Sequence, residues 1–246
     1  MRKALLALPL AAILGTAATA SWWDGDRGPG IAPHREGPAL AWPAEGFSRV
    51  GLALPAQVEV RVGPAFSVRA TGPAQAFNDI RVIREGDSLN IEQRYRRITD
   101  ERAVRAVRFV VTMPRIRAAD LGGSGNMSVD RVSGPQFDAS VGGSGALTLG
   151  NVAVERLGGS IGGSGSIAAA GQAGALKVNI GGSGRFAGER LRARGAEISI
   201  AGSGGVRAQV EGNARVSIAG SGDADLGPRA HCSVSRVGSG QARCGG

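Results

Sequence analysis

Val178-Asn179-Ile180-Gly181-Gly182-Ser183-Gly184-Arg185-Phe186 is one copy of the pattern that decides the fold. Its core, Gly-Ser-Gly, occurs seven times, with the serine at Ser124, Ser144, Ser164, Ser183, Ser203, Ser221 and Ser239. Successive serines are 20, 20, 19, 20, 18 and 18 residues apart. The flanks repeat with them. Three residues before each serine stand Leu121, Val141, Ile161, Ile180, Ile200 and Ile218, and in the last copy Arg236. Three residues after stand Met127, Leu147, Ile167, Phe186, Val206, Ala224 and Ala242. Five before, the column is Ala119, Ala139, Gly159, Val178, Ile198, Val216 and Val234.

Apolar residues at alternate positions on both sides of a glycine turn describe two short strands, because successive strand side chains point to opposite faces. One copy cannot bury its apolar side alone. Stacked copies place equivalent residues over one another and close a shared interior. The sequence therefore predicts an all-β parallel β-helix, or β-solenoid, of about twenty residues per coil. Six steps at about 4.8 Å give a rod of about 29 Å. Glycine supplies the corner angles that a Cβ forbids. A stacked serine hydroxyl both donates and accepts, so the corner serines are candidates for a hydrogen-bonded ladder along the rod.

The chain outside the repeat divides by composition. Residues 1–20 have the layout of a secretory signal: basic Arg2 and Lys3, an apolar run from Ala4 to Leu14, and small residues at Ala18-Thr19-Ala20. The apolar run is shorter than the roughly 20 residues of a spanning helix, and no later stretch comes closer. The expected product is exported, to the periplasm or the cell surface, with no transmembrane segment in the mature chain. Residues 21–46 hold four prolines, five glycines and Trp22, Trp23 and Trp42, and read as a tether. Residues 47–246 read as a single β-solenoid domain. Within it, 47–115 are irregular N-terminal β layers, with alternation at Val58–Val62, Phe66–Val68 and Leu89–Ile91. Residues 116–246 carry the repeat coils and a C-terminal cap.

The formal charge is +9, nearly all from arginine, since Lys3 and Lys177 are the only lysines. A basic chain favours polyanions in general. The densest cluster includes Arg94, Arg96 and Arg97 beside Tyr95, a candidate polyanion contact. One tyrosine is too few for a stacking platform, and nucleic acid is not expected. Cys232 and Cys244 both fall in inward columns of the last copy. In an exported chain they predict a disulfide closing the end of the core.

Catalytic and cofactor patterns fail one by one. The calcium nonapeptide repeat needs an aspartate two residues after its last glycine, where this chain has Met127, Leu147, Ile167 and their equivalents. Gly158-Gly159-Ser160-Ile161-Gly162 matches a nucleophile-elbow string but lacks its strand–turn–helix context. His34 and His231 are the only histidines, too few for a triad or a zinc site. No Walker loop is present. Asp120, Asp130, Asp138 and Glu155 are scattered, with Asp223 and Asp225 the nearest pair. No catalytic residue, metal or cofactor is assigned.

The combination of the Val58–Arg69 stretch, Asp87-Ser88-Leu89-Asn90-Ile91, the Met113-Pro114 to Gly122 lead-in and the repeated Ile/Val-Gly/Ala-Gly-Ser-Gly resembles the auto-transporter adhesin head GIN domain family. The likeness runs from Phe47 to Asp225. It implies a β-helical envelope protein with an adhesin role and no established catalytic residues. The expected function is a non-catalytic structural or adhesive scaffold. Its partner would be a polysaccharide, another envelope protein or a second copy of itself. The alternatives are an enzyme acting on envelope polysaccharide and a self-assembling surface protein.

Overall fold

The computed structural model describes residues 30–94 and 98–245. The predicted secretory signal, Trp22 and Trp23 lie outside the described residues. The strands in chain order are β1 (His34–Glu36), β2 (Ala39–Trp42), β3 (Arg49–Leu52), β4 (Gln57–Val62), β5 (Ser67–Thr71), β6 (Ile80–Glu85), β7 (Ser88–Gln93), β8 (Arg108–Met113) and β9 (Ala118–Leu121). The coils follow as β10 (Asn126–Val141), β11 (Ala146–Gly163), β12 (Ser166–Gly182), β13 (Arg185–Gly202), β14 (Gly205–Val210), β15 (Asn213–Gly220), β16 (Asp223–Asp225), β17 (His231–Val237) and β18 (Gln241–Arg243). A 3-10 turn at Ala74–Asn78 and one short helix, α1 (Glu101–Arg105), complete the described elements.

The repeat region is the expected parallel solenoid of about twenty residues per coil. β10 to β13 and then β15 stack in parallel register, so that Val141, Ile161, Ile180, Ile200 and Ile218 are consecutive partners along one column. All five are buried, as are Leu147, Ile167, Phe186, Val206 and Ala224 in the facing column. Burying a side chain of this size stabilises by roughly 1.5–3 kcal/mol, and each coil supplies several. Gly159 interrupts its column without leaving a void: Phe186 fills the space, with its ring carbons 3.2–3.3 Å from where a Cβ would stand. The strands are longer than the repeat suggests. Pairing continues through a third side of each coil, and the shortening from 20 to 18 residues is absorbed there, by register shifts such as that between Gly188 and Arg192.

The N-terminal layers follow an order that the repeat does not reveal. β3 pairs in parallel with β9 on one side and β7 on the other. β4 pairs likewise with β10 and β8. The β3–β4 coil is thus inserted between the coil made by β7 and β8 and the coil made by β9 and β10, both of which come later in the chain. Its corner, Ala53-Leu54-Pro55-Ala56, has the same length as Gly122-Gly123-Ser124-Gly125, yet has no glycine. The β7–β8 coil replaces the corner altogether with a connection that contains α1.

Antiparallel strands then close this end. β6 pairs with β7, β5 with β8, and β2 with β5. Trp42 packs 5.5 Å from Phe109 and Phe47 packs 4.9 Å from Phe66, ring centre to ring centre. The tether reading of 21–46 therefore fails for its last part. Residues 34–42 form a hairpin, and Trp42 and Ala44 are buried, because the capping edge of the solenoid offers both an open strand and an apolar surface. Asp79 ties the cap to the α1 connection by accepting hydrogen bonds from the backbone and hydroxyl of Thr99 and from the backbone of Asp100. Burial pushes its carboxyl up, but these three bonds outweigh burial and hold it below the ordinary value.

The other end is closed differently. Cys232 and Cys244 form a disulfide with Cα atoms 6.1 Å apart, across the last coil. Arg236, standing where earlier coils place isoleucine, donates to the Gly240 carbonyl at 3.1 Å.

Candidate functional site

A regular solenoid offers columns rather than a cleft. On the side of the rod before each corner, the outward position four residues ahead of the corner serine carries Ser140, Ser160, Asn179, Ser199, Ser217 and Ser235. All six are in continuous register. Beside it runs a second outward column, Gly162, Gly181, Ala201 and Ala219, ending in Val237. Small side chains leave this face flat, and short hydroxyls and one amide give it evenly spaced donors and acceptors, about 4.8 Å apart. A shallow groove of about 650 Å3 lies on it, over Asn179, Ser199, Ser217 and Ser235. The sequence reading singled out the corner serines and missed this column. The same alignment of copies contains it, four residues before each corner serine.

The corner serines are exposed and stacked, and one hydroxyl-to-hydroxyl bond joins them, Ser239 to Ser221 at 3.0 Å. The corners are held chiefly by backbone bonds between coils, such as Ser183 N to Gly163 O at 3.0 Å and Ser203 N to Gly182 O at 2.9 Å.

At the foot of the flat face the hydroxyl column ends in Asp120. Burial pushes its carboxyl above the ordinary value of 3.8. The Arg49 guanidinium, 3.4 Å away, and a hydrogen bond with Ser140 oppose that, and nearby Asp138 reinforces it. Its side chain is only 19% exposed.

Of the candidate polyanion contact, Arg94 lies among the described residues. Arg94 is half-buried and bound to its own fold: its backbone N–H donates to Asp79 O at 2.8 Å and its guanidinium to Ile80 O at 3.3 Å. Arg96 and Arg97 lie outside the described residues. No group of three or more His, Cys, Asp or Glu able to hold a metal occurs among the described residues. No helix among them is long and apolar enough to cross a membrane.

Comparison with known proteins adds to this geometry. Residues 46–230 match the family described as "Putative auto-transporter adhesin, head GIN domain". Among solved structures, a "putative adhesin" from Bacteroides fragilis superposes with a TM-score of 0.76 at 15% identity, over 88% of this chain and 98% of that one. A "putative lipid binding protein" from Parabacteroides distasonis gives 0.66 at 19% identity, over 84% and 95%. A "putative adhesin" from Parabacteroides merdae gives 0.61 at 12%, over 87% and 96%. At these identities the likeness is one of fold. No curated protein matches the chain.

Proposed function

Because the chain belongs to the head GIN domain family, we propose that it is an exported, non-catalytic binding scaffold whose flat serine face holds an extended polysaccharide. The observation that carries the reading is the unbroken register of Ser140, Ser160, Asn179, Ser199, Ser217 and Ser235. A polymer of hydroxyl-bearing units can exchange hydrogen bonds with each rung, and many weak contacts in a fixed line add by effective concentration. An apolar protein partner is less well served. Hot spots of protein interfaces are large buried side chains, and the large hydrophobics exposed among the described residues are Val234 and Val237, at 45% and 76%.

The test is a glycan array probed with the mature chain, followed by the Ser199→Arg/Ser217→Arg double variant. Binding to an extended glycan that the variant loses, with its melting temperature unchanged, is the expected result. No glycan bound, or binding indifferent to the two arginines, overturns the reading.

Self-association through the last coil is a second reading, favoured by the exposed Val234 and Val237 on the terminal strand β17. Open strand edges invite pairing, but inward charges and cross-links blunt them. Arg236 and the disulfide stand against it. Sedimentation over a hundredfold concentration range separates the two: a constant monomer mass removes self-association.

A further inference from the structure

The side of the rod after each corner carries charge of both signs around a gap. The outward column two residues past the corner serine runs Ser166, Arg185, Gly205, Asp223, Gln241 in register. The column beside it runs Ala187, Arg207, Asp225, Arg243. At Gly205 the side chain is missing, and a notch of about 290 Å3 opens between Arg185 and Asp223, with Ser183 and Ser203 on its rim. The backbone does not require glycine there: an added Cβ would meet nothing closer than Asp223 O at 3.8 Å. This glycine differs from those of the corners, and the gap is not a by-product of a tight turn.

The charges around the notch are unequally committed. Asp223 accepts a hydrogen bond from the Gln241 backbone at 3.1 Å and Asp225 from the Gly227 backbone at 3.2 Å, each through one oxygen. Arg207 is paired loosely with Glu189, 3.6 Å apart. Arg185 and Arg243 make no ion pair among the described residues. A guanidinium without a carboxylate partner is a ready bidentate site for one. The aspartate oxygens left over, with the Ser183 and Ser203 hydroxyls, suit hydroxyl donors. They would repel a small dianion such as phosphate. One ligand satisfies both halves: a carboxylate carried on a ring of hydroxyls.

We propose that the Gly205 notch is a binding site for a uronic acid residue, with the sugar carboxylate on Arg185 and the ring hydroxyls toward Asp223 and Ser203. The site lies on another side of the rod from the serine face and does not depend on that face binding anything.

Calorimetric titration of the mature chain with trigalacturonate tests it, with maltotriose and inorganic phosphate as comparisons. Trigalacturonate should bind at least about ten-fold more tightly than either, which corresponds to one charge-assisted contact. Gly205→Leu fills the notch without backbone strain, and Arg185→Ala removes the principal cation. Each should weaken binding about ten-fold or more with an unchanged melting temperature. Ser199→Arg/Ser217→Arg, on the serine face, should leave it intact. Equal binding of maltotriose or phosphate overturns the proposal, as does full affinity in Gly205→Leu.

Discussion

Leu52 and Leu121 are parallel strand partners in adjacent coils, although β4, β5, β6, β7, α1 and β8 lie between them in the chain. Leu52 belongs to the inserted coil whose corner has no glycine, yet it continues the same column as Val141 and Ile161. The core is one object, and coils outside the repeat support it as fully as those within.

Truncating that column should therefore cost the same on either side of the boundary. Leu52→Ala and Ile180→Ala, both buried, should each destabilise by about 2–5 kcal/mol. Urea denaturation followed by circular dichroism measures this. A loss under 1 kcal/mol for Leu52→Ala would mean that the N-terminal layers are not part of the shared interior.

Two neighbouring glycines should answer differently to the same change. Gly182 has φ +124° and a Cβ there would stand 2.7 Å from Gly163 O, whereas Gly181 has nothing within 4 Å. Gly182→Ala should cost about 1–3 kcal/mol. Gly181→Ala should be neutral or stabilising by up to about 1 kcal/mol, since it removes only unfolded-state freedom. Thermal melts of the pair check it; equal effects contradict the stacked-corner geometry.

Opening the Cys232–Cys244 bridge releases a segment spanning 12 residues of sequence. By the loop-closure relation, its loss should cost about 3 kcal/mol. The Cys232→Ser/Cys244→Ser variant, compared with the oxidised chain, reads this out, with hydrogen exchange expected to quicken first in β17 and β18. Uniform exchange along the rod would show that the end coil is not a separate closing element.

Asp120 gives a pH dependence of definite sign. Its folded carboxyl holds its proton more tightly than an unfolded one, because burial disfavours the charge. The associated penalty is absent below the ordinary value of 3.8, grows as pH rises above it, and is complete once pH has passed the folded value. Asp120→Asn keeps an acceptor for Ser140 and Arg49 and removes the charge. Its melting temperature should exceed that of the parent at neutral pH, and the difference should vanish as pH falls toward 3.8. An unchanged or lower melting temperature at neutral pH reverses the assignment.

The amino-acid sequence by itself determined the solenoid, its period, the inward columns and the disulfide. Period-two alternation with a fixed return is a local signal, repeated often enough to specify one stacking. Only the tertiary structure decided the rest. The insertion of β3–β4 beneath β9–β10 depends on strand partners far apart in the chain, and Ala53-Leu54-Pro55-Ala56 carries no glycine to mark it as a corner. The hairpin at 34–42 forms because the capping edge supplies a partner strand, which composition cannot show. The serine face and the Gly205 notch were written in the repeat, but an outward residue matters only through what stands beside it in the next coil, and that neighbour is set by register.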